Sequence, residues 1–268
     1  MKGLFELGLV EARRRLLGDR NLFSISEVYH ENSKIARNAT GFALSAESIF
    51  VAPTGFKRYM HAPKVGLLAP EAKQASPILR AIAGRRSCRL YSGAPVAAKV
   101  IADLAFCSFG ISDGRQLRCA PSAGGLYPLE LYIIAMNVTE LDAGLYHYDV
   151  RAHGLTELVK GDLSPQLVTA MPGLEGVEKS AALMVFTAVF GRSKIKYGER
   201  AYRFVLLEAG HAMQNICLAA TDIGVGVCPV GGFVDDSLND LLNIDGIEEA
   251  AVYAVTMGTP ADSSNHAN

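Results

Sequence analysis

Four short stretches of the 268-residue chain carry residue types that can do chemistry. In Lys196-Tyr197-Gly198-Glu199-Arg200-Ala201-Tyr202-Arg203 an amine stands beside a phenol. An ammonium there favours the phenolate, or burial favours the free amine, and either gives an acid/base pair. The same residues also read as a charged helix start. In Arg85-Arg86-Ser87-Cys88-Arg89, residues 85, 87 and 89 project to one side of an extended chain, and 85 and 89 are neighbours on a helix. Two guanidinium groups and a hydroxyl match a phosphate monoester; a solvated basic turn is the alternative. In Pro121-Ser122-Ala123-Gly124-Gly125-Leu126-Tyr127-Pro128 small residues would let a flat ligand lie against backbone, with N–H groups free to meet it, unless this is an ordinary tight turn. The fourth stretch, Gly224 to Phe233 (GVGVCPVGGF), is glycine-rich but lacks the GxGxxG order and follows a helical pattern, which excludes a dinucleotide fingerprint; no phosphate-binding P-loop occurs either.

Other chemistries find no anchor. There is no GxSxG elbow for a serine nucleophile and no HExxH for a metal, and His211 lies on an apolar-patterned helix, so no metal is expected. The five cysteines (88, 107, 119, 217 and 228) are odd in number and form no CxxC, which argues against a disulfide framework or a zinc site. They read as reduced thiols packed as small apolar groups.

The elements that must position these residues follow from periodicity. Val96–Phe109 has helical spacing after Pro95. Leu129–Val138 reads as a strand, Leu145–Val150 and Leu155–Val159 as a meander pair around His153-Gly154, and Ala181–Phe190 as a buried strand. A long helix spans Tyr202–Ile223 with Gly224 near its C-cap, followed by a strand at Val225–Val230, an acidic-start helix at Asp235–Leu242 and a last strand at Ala250–Met257. The class is α+β: a mostly antiparallel sheet with helices packed on it. Residues 1–75 read as an N-terminal extension packed on a main domain of residues 76–268. It would hold an amphipathic helix at Glu6–Leu17 and a broken segment with Pro53, Gly55, Pro63, Gly66 and Pro70.

Composition bounds the rest. The chain is 50% hydrophobic and 20% charged with a formal net charge of −1. A chain of this length buries roughly 70–75% of its unfolded surface. Bulk disorder and a basic nucleic-acid face are excluded. The longest apolar run, Ala181–Phe190, falls short of the ~20 residues of a membrane span, and the N-terminus is too interrupted by acids for a signal peptide, so a cytoplasmic protein without membrane partners is expected. The charged fraction lies below the roughly 25% of typical domains, as extra burial at a subunit interface or cofactor cavity would require.

In order, Arg85-Arg86-Ser87-Cys88-Arg89, Pro121–Glu130 (PSAGGLYPLE), Lys196–Arg203 and Gly210–Phe233 resemble the flavin-dependent nitroreductase superfamily, and within it the SagB-type dehydrogenases, the azoline oxidases of thiazole/oxazole-modified peptide synthesis. Gly144-Leu145-Tyr146-His147-Tyr148-Asp149 and Tyr29-His30-Glu31-Asn32-Ser33-Lys34 are similar to that branch too. The likeness covers residues 76–260 and touches 25–35. It implies a nitroreductase-like FMN-binding fold and a homodimer whose two active sites lie at the subunit interface. It implies that Arg85, Ser87 and Arg89, with Arg86 near, hold the FMN phosphate and ribityl chain, and that Arg89 meets charge developing on the ring. Pro121, Ser122, Ala123 and Gly125 would form a loop that the partner subunit lays beside the flavin. Pro229, Val230, Gly231 and Gly232 would cover the ring, with Gln214 and Asn215 on a lining helix and Lys196 and Tyr197 as catalytic acid/base. The implied activity is oxidation of an azoline in a peptide or carrier-bound substrate to the aromatic azole, with possible synthetase-complex partners. The alternatives are an NAD(P)H-dependent nitro or quinone reductase, and a non-catalytic flavin-binding or docking subunit. One departure stands out: where relatives carry a basic residue this chain has Gly258-Thr259-Pro260, leaving Arg86, Arg200 or Arg203 to complete the phosphate grip.

Overall fold

A computed structural model describes residues 24–35, 56–57, 59–68, 76–174 and 176–261. The expected helix at Glu6–Leu17 and the residues Pro53, Gly55 and Pro70 lie outside them. The sheet is built around β6 (Ala182–Val189), whose run ALMVFTAV is apolar on both faces because helices cover both. On one side β6 pairs antiparallel with β2 (Leu129–Ala135), from Leu129 opposite Ala188 to Ala135 opposite Ala182. On the other it pairs with β8 (Glu249–Gly258), with a bulge between Phe186 and Thr187. The meander β4 (Gly144–Asp149) and β5 (Gly154–Lys160) extends one edge, and β7 (Gly226–Val230) closes the other, giving the order β5-β4-β2-β6-β8-β7, antiparallel throughout. Pro229, which has no N–H to donate, is tolerated in β7 because β7 is an edge strand.

Alternation along the strands divides the core in two. Leu131, Ile133, Met184 and Phe186 face one way, toward α3 (Ala98–Phe109) and the 23-residue α6 (Arg200–Asp222). Tyr132, Ile134, Leu183 and Val185 face the other way, toward α4 (Ser164–Ala170) and α7 (Asp235–Leu242). The expected α+β class therefore holds. The expected helix at Val96–Phe109 starts instead at Ala98, because Val96 and Ala97 form a two-residue strand, β1, parallel to β3 (Val138–Thr139). For the same reason Leu129–Val138 is two strands: Met136 and Asn137 both donate their N–H to the Ala181 carbonyl, and the chain turns there.

Four helices, α4 among them, carry too weak a pattern to be read from the sequence. α1 (Ile25–Ser33) starts with a capping box between Ser24 and Glu27, a device worth about 1 kcal/mol. α2 (Pro77–Gly84) has Pro at its first position. α5 (Gly191–Tyr197) is seven residues long and follows β6 directly.

Candidate functional site

α5 delivers Lys196 and Tyr197 in its last turn, and Gly198 ends it at φ +52, ψ −137, a conformation suited to glycine. The Lys196 ammonium lies 5.3 Å from the Tyr197 ring centroid, and Tyr197 packs edge-on against Phe204 of α6 at 5.0 Å. Both side chains reach the same point of the 121–128 loop. At Gly124 (φ +65) an added Cβ would lie 2.6 Å from the Tyr197 hydroxyl and 2.8 Å from Lys196 Nζ. The bare backbone of Gly124 is what admits them, and it holds the amine and the phenol within about 5.5 Å of each other.

The loop has its own supports. Ser122 Oγ accepts the Tyr127 N–H at 2.9 Å, and the Ser122 carbonyl accepts the Gly125 N–H at 3.1 Å. Tyr127, at φ +45, is held by the Arg118 guanidinium 4.4 Å over its ring and by the Arg118 N–H donated to its hydroxyl. Arg192, in the first turn of α5, donates to the Tyr127 carbonyl and pairs with Glu130 of β2, which also binds His147 at 2.9 Å. Burial pushes the Glu130 carboxyl up, but the hydrogen bonds from His147 and Arg192 outweigh it and leave it lowered. The bond to Glu130 raises His147 against its burial.

One residue of this cluster escaped the sequence reading. Glu208 of α6 is only 3% exposed, and its carboxyl is influenced by Ser122 and Arg118. Burial pushes its carboxyl up to about 7, only partly offset by Ser122 and Arg118. The signal was present: Ala201, Val205, Glu208 and Ala212 form one buried stripe of the helix, and an acid in an apolar stripe needs a partner.

The arginine strip is positioned by β7. Cys88 donates its N–H to the Val227 carbonyl at 2.8 Å, and the Tyr91 hydroxyl bridges the Cys88 carbonyl and Thr256. The approach is close at Gly226, where a Cβ would meet Cys88 Sγ at 2.7 Å. Arg85 is half-buried with Ser87 Oγ 3.5 Å from its guanidinium, while Arg89 is exposed. Both arginines act on buried thiols: burial raises Cys217 and Cys228, and Arg85 and Arg89 respectively offset part of the rise. Arg86 turns back onto the Ala83 and Arg85 carbonyls at the end of α2. Among the described residues, Arg85, Arg86 and Arg89 form no ion pair. At the other end of β7, Pro229 and Val230 pair with Val255 and Ala254 and lead to exposed Gly231 and Gly232. Gly231 lines a cavity of about 190 Å³ with Tyr29 and His30 of α1 and Tyr202 and Leu206 of α6.

Helix arithmetic relates the two groups. Phe204, Glu208 and Asn215 recur at i, i+4 and i+11 and face Tyr197, Ser122, Cys107 and Cys119. Leu206 and Cys217, i and i+11 on the opposite flank, face Gly231 and Arg85. Between the flanks an exposed ridge runs through Arg203, Leu207, Gly210 and Gln214. The structure thus brings Lys196, Tyr197, Ser122, Ala123 and Gly124 together, and sets Arg85, Ser87, Arg89 and Cys88 along β7. Among the described residues no hydrogen bond, ion pair or ring contact joins the two groups. Arg200 and Arg203 lie about 20 Å or more along α6 from Cys217, far from the strip they were expected to help. Among the described residues no cluster of three His, Cys, Asp or Glu could hold a metal, and no helix is long and apolar enough to cross a membrane.

The nitroreductase family model matches residues 82–259, which hold the arginine strip, both glycine loops and the Lys-Tyr pair. The chain belongs to the nitroreductase family. A Methanocaldococcus jannaschii protein carrying the nitroreductase name is 31% identical over 160 residues, 60% of this chain and 81% of that one. The microcin B17-processing protein McbC of Escherichia coli is 30% identical over 138 residues, 49% of this chain and 50% of its own length, so the chain spans about half of that relative. Among solved structures, the E. coli microcin synthetase McbBCD complex with truncated pro-microcin bound superposes with TM-score 0.66, covering 87% of each chain at 21% identity. A Desulfovibrio desulfuricans structure of the nitroreductase type in complex with FMN superposes with TM-score 0.51, covering 72% of this chain and 92% of that one at 19% identity. These two likenesses show the nitroreductase fold.

Proposed function

We propose that this nitroreductase-family chain is an FMN-dependent dehydrogenase that oxidises an azoline to the aromatic azole in a peptide or carrier-bound substrate. The observation that carries the reading is the meeting of Lys196 and Tyr197 over the bare backbone of Gly124. A reductase needs no protein base of this kind, whereas desaturation of a ring does. The similarity to McbC supports the same direction.

The residues fit FMN. Arg85 and Arg89, which form no ion pair among the described residues, offer guanidinium groups beside the Ser87 hydroxyl, as a phosphate needs. Gly231 and Gly232 present exposed backbone, and at Gly231 no atom lies within 4 Å of where a Cβ would be. In this reading Pro121, Ser122, Ala123 and Gly125 line one side of the cofactor, Pro229, Val230, Gly231 and Gly232 the other, and Gln214 the ridge between. Arg86 supports the strip from the end of α2. When bound, FMN supplies an acceptor for two electrons.

The chain's own residues manage the proton. In an azoline the α-carbon hydrogen is acidified by the adjacent carbonyl and imine. Lys196 takes that proton, and Tyr197 orients the amine and shares the charge it gains. Loss of a hydride from the neighbouring ring carbon to such an acceptor would complete the oxidation, and aromatisation would drive it. Because the two groups lie on opposite flanks of α6, the complete site is a homodimer's: Arg85–Arg89 and Gly231 from one chain, and the 121–128 loop with Lys196 and Tyr197 from the other. The exposed ridge of α6 is the surface on which the chains meet. In this reading α1 belongs to an N-terminal extension, residues 1–75, of a main domain of residues 76–268. Contacts of α1 support this: Ser26 donates to Glu199 at 2.6 Å, and Lys194 pairs with Glu27 at 2.8 Å. A synthetase complex in the cytoplasm is the expected setting.

The test is Lys196→Ala in purified protein loaded with FMN and given a thiazoline or oxazoline peptide. The reading expects the flavin absorbance to stay and azole formation to stop. Undiminished azole formation would remove Lys196 as the base, and rapid bleaching by NAD(P)H without azoline turnover would favour the reductase.

A further inference from the structure

Tyr127 is held at φ +45, a conformation that L side chains rarely adopt, and such strain persists only where neighbours over-determine it. Its N–H goes to Ser122 Oγ, its hydroxyl accepts the Arg118 N–H, and its carbonyl accepts the Arg192 guanidinium at 3.2 Å. The next residue, Pro128, accepts the Val189 N–H at 2.8 Å, so this end of the loop is fixed to β6. Of the three restraints on Tyr127, Arg192 is the one that comes from α5. The same Nη1 nitrogen also pairs with Glu130, which sits in β2 opposite Thr187 and binds His147 of β4 at 2.9 Å. One side chain therefore ties α5 both to the loop and to the sheet.

We propose that Arg192 is a positioning residue that registers α5 against the fixed end of the 121–128 loop, and so sets where Lys196 stands over Gly124. The consequence for turnover rests on the proposed role of Lys196; the registration itself does not. Arg192 and Lys196 are i and i+4, on one side of α5 and about 6 Å apart along its axis. Helix and loop thus meet at two points, Arg192 on Tyr127 and the Lys196–Tyr197 end on Gly124. A seven-residue helix with no side-chain cap at Phe190 has little stability of its own, and with one of those points removed it can slide or tilt. The other hold on α5, from Lys194 to Glu27 and Ser24, reaches α1 and leaves the register with the loop unset.

A guanidinium suits this task. Nη1 carries two hydrogens in the plane of the fork, one for the Glu130 carboxylate and one for the Tyr127 carbonyl. A lysine ammonium carries the same charge on a flexible stem, as a point donor without that planar geometry. Nothing in the proposed chemistry puts Arg192 against substrate or cofactor, so it enters the rate through Lys196. A misplacement of about 1 Å there is worth about 100-fold.

The test uses the full, FMN-loaded chain and an azoline peptide. Arg192→Ala should lower kcat for azole formation by about 10- to 100-fold, with KM and FMN affinity within about twofold of the unmodified protein. Arg192→Lys should restore part of the rate, because it keeps the pair with Glu130. In a Lys196→Ala background, Arg192→Ala should cost nothing further; the same loss there would mean that Arg192 acts independently of the base, and would overturn the proposal. So would a raised KM at unchanged kcat, which would put Arg192 on the substrate, or a loss of FMN binding and thermal stability in step with kcat. Hydrogen exchange gives a readout that needs no turnover. The Gly198 N–H, bonded to the Lys194 carbonyl at 2.9 Å, should exchange about tenfold faster in Arg192→Ala. Unchanged exchange at Gly198 would overturn the registration and leave the Lys196 reading untouched. Conversely, azole formation that survives Lys196→Ala would remove that reading while the Gly198 result stood.

Discussion

On one flank of α6, Phe204, Glu208 and Asn215 meet partners from their own chain: Tyr197, Ser122 and the carbonyls of Cys107 and Cys119. On the other, Leu206 and Cys217 border Gly231 and Arg85, where exposed glycine backbone lies near guanidinium groups that form no ion pair among the described residues. The first flank is a closed network that fixes an acid/base pair and a loop. The second is a set of donors held in place from behind by β7, through Cys88 and Tyr91, with its front left for something else to meet. The contrast separates two tasks. Positioning a proton-transfer pair demands partners inside the chain, because about 1 Å of misplacement can cost 100-fold in rate. Gripping an anion demands donors that the chain has not already satisfied.

The largest effect should come from the ridge that lies between the flanks. Gly210→Arg puts a long cation on the proposed meeting surface, and we expect monomers by sedimentation, with loss of both FMN retention and turnover. A monomer that still binds FMN tightly would show that the second flank needs no partner. Lys196→Ala, on the closed flank alone, should lower azole formation by about 100- to 10,000-fold, the usual worth of a positioned acid or base, with FMN affinity unchanged. The double variant Arg85→Ala with Arg89→Ala, on the open flank alone, should weaken FMN binding at least about 100-fold by fluorescence titration, since each charge-assisted bond is worth about 1.5–3 kcal/mol. Added FMN should rescue its turnover in part. The smallest effect should be that of Gly226→Ala. Its methyl would press on Cys88 and Pro260 and displace the strip, costing about 1–3 kcal/mol of stability and a milder loss of FMN. Equal damage to FMN binding and to the chemical step in any of the last three would erase the distinction between the flanks.

Much of this was legible beforehand where the physics is local. β6, the meander, α7 and the long helix followed from period and length, and Gly224, at φ +74, lies just past the helix end as read. The arginine spacing and the glycine loops could be picked out because their residue types are unusual in ordinary turns. What stayed hidden depends on distant partners. α5 is seven residues long, too short to show a stripe, and exists because β6 and Gly198 bracket it. Arg86 looked like a third phosphate ligand, yet its nearest acceptors are the carbonyls ending α2. Glu208 was an acid on an apolar stripe whose meaning depends on Ser122, 86 positions earlier in the chain.

Subunit mixing tests the central claim most directly, because it asks whether the two flanks of one helix serve two different sites. Chains carrying Arg85→Ala with Arg89→Ala, inactive at low FMN, are mixed in equal amounts with inactive Lys196→Ala chains under conditions that exchange subunits. If each site takes its arginines from one chain and its Lys-Tyr pair from the other, half of the dimers hold one intact site, and azole formation should recover to about one quarter of the unmodified level. If mixing restores nothing while the mixed dimers demonstrably form, the arginines and Lys196 act within one chain, and the composite site proposed for this nitroreductase-family protein is wrong.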